Sequence, residues 1–439
     1  MLQIDRSRIA DENEGRAVGH ERDLATTAER VQRVGMDADR VIGEIAAFSV
    51  AAPSWAVGTG STRFGRFPGG GEPRTTEEKI DDIAALNALT GANRTVSLHV
   101  PWDDPDDAAA LREYAARQGI GFDAMNSNTF QDNASTTNGG EISYKFGSLA
   151  HTDKAVREAA IEHNLAVIDL GLKLGSKAIT VWLADGMNHP GQASFRGQFE
   201  RVLDGLSHIY AHLPEDWLLF TEHKPFEPAF YSSVNNDWGT SLLLAQGTGE
   251  RARCLVDLGH HLPNTNIEQV VSRLAMVGRL GGFHFNDSKY GDDDLTVASI
   301  KPFQLFLIFL ELLEAGGGSM PDAAYMIDES HNLKDPLEDL IQATDAIQVT
   351  LAQALLVDRI ALADAQERND PAMAAEILHA AFRSDVRPLI RSLPTGPLAT
   401  GPPPSPLGER RRPPPAFDLG GDARPRRRSR CDVRTCRMH

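Results

Sequence analysis

Short apolar runs alternate with amphipathic stretches along most of the chain. The runs lie at residues 54–60, 95–102, 121–126, 178–184, 217–224, 253–258, 282–286 and 324–328, and are rich in Val, Ile, Leu and Phe. They are apolar nearly throughout, the pattern of strands buried on both faces of a parallel sheet. Patterns of helical period fill the intervals, most clearly at 77–89, 108–118, 154–174, 195–212, 267–280 and 299–314. Thr75-Thr76-Glu77-Glu78 has the composition of a helix start, and Gly119 and Gly175 that of helix stops. Eight strands alternating with helices predict an α/β fold, a (β/α)8 TIM barrel over residues 51–336. Residues 1–50 predict a leading helical segment, and 337–400 two or three helices packed outside the barrel.

Composition changes this picture at one end. From Gly401 onward Pro and Arg dominate, as in Pro402-Pro403-Pro404 and Arg426-Arg427-Arg428. No apolar period survives there, so residues 401–439 read as a disordered basic tail. The net charge of −17 argues against a general nucleic-acid binder, which needs basic surface. A binding module for nucleic acid or acidic surfaces, carried by the tail, is the remaining reading of that kind. The three cysteines, Cys254, Cys431 and Cys436, form no disulfide framework, which predicts a reducing cytoplasm. The N-terminus lacks the apolar core of a signal peptide, and no apolar run is long enough to span a membrane.

The polar residues fall at strand ends. His99 follows the second run, Asn126 and Asn128 the third, and Trp182 and Asp185 the fourth. Glu222, His223 and Lys224 end the fifth, Asp257 and His260 the sixth, His284 the seventh and Asp328 the eighth. In a barrel that end is where active sites are built. Between Gly282 and Asp294 an imidazole and several carboxylates crowd one small volume. Carboxylates at such density repel one another unless cations neutralise them, and hard divalent ions suit mixed oxygen and imidazole donors. Glu222 and Lys224, two apart, share one strand face, the one expected at the barrel mouth. There Glu222 is placed to bridge two cations and Lys224 to bind a substrate oxygen; a plain salt bridge between them is the simpler alternative. Asp257 and His260 are spaced to serve neighbouring ions. Asp292 and Asp294 are spaced to clasp one ion, with Asp293 turned to solvent and His261 pointing elsewhere. Adjacent oxygen-rich sites suit aldose–ketose isomerisation, and also two-metal phosphoester hydrolysis of the AP-endonuclease kind. The latter wants basic groups for phosphate, and the expected mouth is poor in Arg. Its aromatics, Trp55, Trp102, Phe130 and Trp182, suit a neutral sugar ring.

Several segments resemble the bacterial L-rhamnose isomerases, most closely the broad-specificity type that also interconverts D-allose and D-psicose. They are Ser97-Leu98-His99-Val100-Pro101-Trp102-Asp103, the run from Phe122 to Phe130, Glu222-His223-Lys224, the run from Val256 to His261, and the 282–294 segment. The likeness runs from about residue 45 to about 390. It implies a xylose-isomerase-like barrel, two Mn²⁺ ions per subunit (Co²⁺ or Mg²⁺ as substitutes) and a cytoplasmic homotetramer acting on a small sugar. By resemblance, Glu222, Asp257, His284 and Asp328 hold one ion. His260, Asp292 and Asp294 hold the other, with Glu222 bridging. The resemblance assigns catalytic roles to Asp328, Lys224 and His99, and substrate contacts to Trp55, His99, Phe130, Trp182, Lys224 and Phe64. In the family the loop matching residues 58–71 reaches a neighbouring subunit's site, and Phe64 lies on it. Two features depart from the family: the Pro/Arg-rich sequence from about Leu393, and Glu329 where Gln is expected, facing away from the metals.

Overall fold

Eight parallel strand positions follow one another around a closed barrel. They are β1 (Ala52–Pro53), β2 (Thr95–Ser97, continued by His99–Val100), β3 (Gly121–Phe122, continued by Met125–Ser127), β4 (Ala178–Trp182), β5 (Leu218–Glu222), β6 (Ala252–Asp257), β7 (Leu280–Phe285) and β8 (Ala324–Ile327). The structure, a computed structural model, describes residues 6–58, 72–132, 137–227, 231–329 and 334–393. Each strand pairs in parallel with its sequence neighbours. The ring closes where Ala51 bridges Met326: Ala51 N donates to Tyr325 O at 2.7 Å and Ile327 N to Ala51 O at 3.0 Å. The chain thus folds as the (β/α)8 barrel its pattern predicts.

Alternation along the strands stacks the barrel interior in layers. Ala124, Ala178, Phe220 and Leu255 pack together as an apolar layer. Two residues further along the same strands stand Asn126, Thr180, Glu222 and Asp257. The interior therefore changes from apolar to polar within one strand step, at the C-terminal mouth.

Helix boundaries follow local chemistry. Thr75 caps the helix Thr76–Thr90, its Oγ1 accepting from Glu78 N at 3.2 Å. Gly119 and Gly175 take the left-handed φ of +73° and +94° that ends a helix cheaply only for glycine. The helix predicted over 267–280 stops at Met276, because Gly278 turns at φ +66° and Leu280 already belongs to β7. The helix predicted from 299 begins at Pro302, whose fixed φ suits the first helical turn.

Two sequence expectations need correction, and one helix is added to those the pattern picks out. The first strand is not at 54–60: Ser54–Val57 is a helical turn after a two-residue strand. The helix Trp238–Thr248, between β5 and β6, escapes the periodicity because Leu and Ala cover it on several sides. The segment after residue 336 is not all outside the barrel. Helix Pro336–Leu355 packs between Thr76–Thr90 and Pro302–Ala315, burying Leu340, Ala343, Ile347 and Leu351. It is the eighth helix of the wall, and Arg359–Glu367, Pro371–Phe382 and Arg387–Ile390 follow it. The expected 401–439 tail lies outside the described residues. Among the described residues no single helix is long and apolar enough to cross a membrane.

Candidate active site

The polar layer converges on a carboxylate–imidazole cluster. Ligand-capable atoms of Glu222, Asp257, His284 and Asp328, from the ends of β5, β6, β7 and β8, all lie within 4.8 Å of one another. His284 Nδ1 is 3.3 Å from Glu222 Oε1, 3.5 Å from Asp257 Oδ2 and 3.5 Å from Asp328 Oδ2. Asp257 is held by its other oxygen, which accepts from Gly259 N at 2.7 Å and Asn286 Nδ2 at 2.9 Å. Its Oδ2 is buried without a hydrogen-bond partner. Trp55 Nε1 donates to Asp328 Oδ1 at 2.9 Å, so the turn after β1 orients the acid at the end of β8.

The electrostatics of the cluster favour a cation. Burial by itself would raise the Glu222 carboxyl, but His284 and His260 outweigh it and hold its pKa below the ordinary carboxylate range. Burial would lower His284; Glu222, Asp257 and Asp328 reverse this and push it well above the usual imidazole value. The same field that holds a proton on His284 would attract a divalent ion. A buried carboxylate oxygen with no partner, among three acids and an imidazole, fits such an ion in charge and donor type.

A second set adjoins the first through Glu222. His260 Nδ1 is 3.1 Å from Glu222 Oε1, and its Nε2 is 3.1 Å from Asp292 Oδ1. Asp292 Oδ2 lies 2.7 Å from Lys224 Nζ. Lys224 thus pairs with Asp292, where the simpler reading of its spacing offered a salt bridge to Glu222. Asp294 lines the same pocket from a left-handed backbone, φ +49°.

One side of the pocket is aromatic. His99 lies among Trp55, Trp102 and Phe130, with ring centroids at 5.4, 4.4 and 5.6 Å, and Phe130 meets Trp182 edge-on at 4.4 Å. Lys224 Nζ stands 5.1 Å over the Trp182 ring. Burial pulls His99 down to about 4, so its imidazole is neutral near pH 7, and its buried Nε2 has no hydrogen-bond partner. This wall rests on a buried ion pair absent from the sequence reading. Lys79 Nζ is 2.5 Å from Asp103 Oδ1, while Asp103 Oδ2 accepts from Ser54 Oγ at 2.5 Å and His99 N at 2.8 Å. Asp103 thereby ties the turn carrying Trp55 to the strand end carrying His99. Asn286 was also missed, although its position two residues after His284 places it on the same face.

Other strand-end residues do structural work. Asp185 accepts from Ser148 N, Ser148 Oγ and Ala150 N at 2.7–2.9 Å, pinning a loop. Asn128 Oδ1 accepts from Phe130 N at 3.2 Å and Gln131 N at 3.3 Å. His261 packs on His223, ring centroids 4.8 Å apart. Asp293, half-buried, accepts from the amides of Lys289, Tyr290 and Gly291 at 2.8–3.0 Å and shapes its loop. Glu329 faces Val297 N, which donates to it at 2.7 Å, and burial, then the Asp339 charge, raise its pKa well above normal. Phe64 lies outside the described residues.

Comparisons agree with this architecture. The xylose isomerase-like TIM barrel family matches residues 86–327. A probable sugar isomerase of Rhizobium meliloti is 54% identical over 391 residues, covering 89% of this chain and 90% of that protein. A probable sugar isomerase of Mesorhizobium japonicum is 54% identical over 384 residues, 87% of this chain and 88% of that protein. An L-rhamnose isomerase of Rhodopirellula baltica is 22% identical over 396 residues, 80% of this chain and 89% of that protein. Among solved structures, an L-ribulose 3-epimerase superposes with TM-score 0.53 at 16% identity, covering 70% of this chain and 95% of that one. At that identity the likeness speaks for the fold. Fold and mouth chemistry define a barrel enzyme with a polar, cation-attracting centre. The chain belongs to the xylose isomerase-like TIM barrel family, and its 54% relatives are the probable sugar isomerases.

Proposed function

We propose that the chain is a divalent-metal-dependent aldose–ketose isomerase. It converts L-rhamnose to L-rhamnulose and D-allose to D-psicose by moving hydrogen between C1 and C2. The reading rests on the cluster of Glu222, Asp257, His284 and Asp328, joined through Glu222 to His260 and Asp292 beside an aromatic wall. The relatives named sugar isomerases and the distant L-rhamnose isomerase support the class. We assign Glu222, Asp257, His284 and Asp328 to one ion, and Glu222, His260, Asp292 and Asp294 to a second, with Mn²⁺ preferred and Co²⁺ or Mg²⁺ as substitutes. Such ions polarise a carbonyl and grip vicinal oxygens.

The chain's own groups do the rest. Trp55 fixes the rotamer of Asp328 through its 2.9 Å bond. Neutral His99 offers its inward Nε2 to a ring or chain hydroxyl. Lys224, paired with Asp292, donates to a substrate oxygen. Trp55, Trp102, Phe130 and Trp182 exclude water and give the sugar's apolar face a surface. Among the described residues no Arg lines this pocket, which disfavours the phosphoester-hydrolase alternative. A cytoplasmic homotetramer, with Phe64 of one subunit contacting a neighbour's substrate, belongs to the same reading.

The test is a panel of aldoses and ketoses assayed as prepared, after chelation, and after Mn²⁺ is restored. Conversion of aldose to ketose that disappears and returns is the expected result. Undiminished activity in verified metal-free protein would overturn it, and conversion at C3 alone would make the chain an epimerase. Lys224→Met is expected to leave metal content nearly normal and lower kcat about a hundredfold. Loss of bound metal in that variant would instead give Lys224 the role of holding Asp292 in place.

A further inference from the structure

The pocket floor contains a polar pair that neither metal set uses. Thr180 on β4 and Asn126 on β3 are register partners in the layer just above the apolar Ala124–Ala178–Phe220–Leu255 core. Both line the pocket beside Glu222. Thr180 is 2% exposed, and its Oγ1 is fully buried without a hydrogen-bond partner. A buried strand hydroxyl ordinarily finds one. Thr221 on the adjacent β5 shows this, contacting Ser241 Oγ at 2.8 Å and donating to Ser241 O at 3.3 Å. The Asn126 amide is oriented by its own bonds: Nδ2 donates to Ser97 Oγ at 2.8 Å and Leu98 O at 3.1 Å. Its Oδ1 is therefore the end of the amide turned away from β2.

The floor so pairs a fixed acceptor, Asn126 Oδ1, with a hydroxyl that both donates and accepts. A sugar hydroxyl, likewise both donor and acceptor, is complementary to that pair. A methyl or methylene at the same place would leave Thr180 Oγ1 buried and unsatisfied, and sites built to hydrogen-bond a hydroxyl reject analogues lacking it. We infer that Asn126 and Thr180 form a hydroxyl-reading subsite that selects among sugars by one hydroxyl other than those the metals would hold. The inference rests on the sugar-isomerase reading and extends it to specificity.

The experiment combines variant and substrate. Thr180→Val and Thr180→Ser are compared with wild type on a good aldose and on its singly deoxygenated analogues, with Mn²⁺ present. Metal content is measured on each protein. Thr180→Val is expected to lower kcat/KM for the parent sugar about tenfold, at unchanged metal content. One deoxy analogue is expected to lose as much with wild type and nothing further with Thr180→Val, and Thr180→Ser to restore discrimination. Equal kcat/KM of Thr180→Val and wild type on every sugar would overturn the subsite. So would losses that are equal for all analogues, which mark a structural hydroxyl. If wild type converts no sugar, the isomerase reading fails. Sugar affinities by calorimetry then judge the subsite separately, equal values for wild type and Thr180→Val overturning it.

Discussion

Glu222→Gln is expected to abolish turnover and to weaken metal binding more than any other single ligand change. Glu222 Oε1 stands 3.1 Å from His260 Nδ1 and 3.3 Å from His284 Nδ1, so one carboxylate faces both donor sets. Its depressed pKa means that it carries full charge throughout the working pH range. Gln keeps the length and shape of the side chain but removes that charge and replaces one acceptor oxygen with an N–H donor. Loss of outer groups around a metal commonly costs ~10–100-fold in affinity or activity, and a shared inner carboxylate should exceed the upper figure. Metal analysis and calorimetric titration read the binding, and steady-state rates on the best sugar read the turnover. Asp294→Asn touches the second set alone and should retain the first ion. A Glu222→Gln protein with wild-type metal content and turnover would show that Glu222 does not serve either ion.

Lys79→Met is expected to destabilise the fold strongly, although Lys79 lies outside the pocket. Its ammonium is the charge partner of Asp103, and both side chains are buried, at 8% and 1% exposure. Removing one member of a buried pair leaves the other uncompensated, which costs about 3–5 kcal/mol. For a barrel of this size the melting temperature should fall on the order of 5–10 °C. Ser54 Oγ and His99 N still donate to Asp103, so the carboxylate stays solvated on one side only. The double variant Lys79→Met, Asp103→Asn removes both charges and should recover part of the loss. The single variant should also raise KM, because an uncompensated carboxylate at Asp103 loosens the junction between the Trp55 turn and the His99 strand end. Calorimetry and sugar kinetics check the two effects. An unchanged melting temperature would show that the pair does not stabilise this part of the barrel.

Periodicity along the chain determined the barrel. Continuous apolar runs of strand length, separated by amphipathic helices, have few other ways to bury both sheet faces. Alternation then determined which polar residues face the mouth, since Asn126, Thr180, Glu222 and Asp257 each stand two residues beyond an apolar core position. Such local rules misplace elements where tertiary packing competes with propensity. The helix Trp238–Thr248 buries Ser241 and Thr248 yet leaves Leu243 exposed, so it shows no single apolar stripe, and the turn Ser54–Val57 is buried throughout.

What tertiary structure decided is which polar groups meet. Asp185, Asn128 and Asp293 have the same chemistry as the clustered acids and amides, yet nearby backbone amides claim them. Lys224 pairs with Asp292, where spacing offered Glu222. Asp103 clamps Ser54, Lys79 and His99 across 49, 24 and 4 positions of chain. Spacing cannot reveal such partners, because the distance between two side chains on different strands is set by barrel closure and register. A sequence encodes which groups can hydrogen-bond or carry charge; only the closed ring settles which of them share a volume, and therefore which are held by the backbone and which face the pocket.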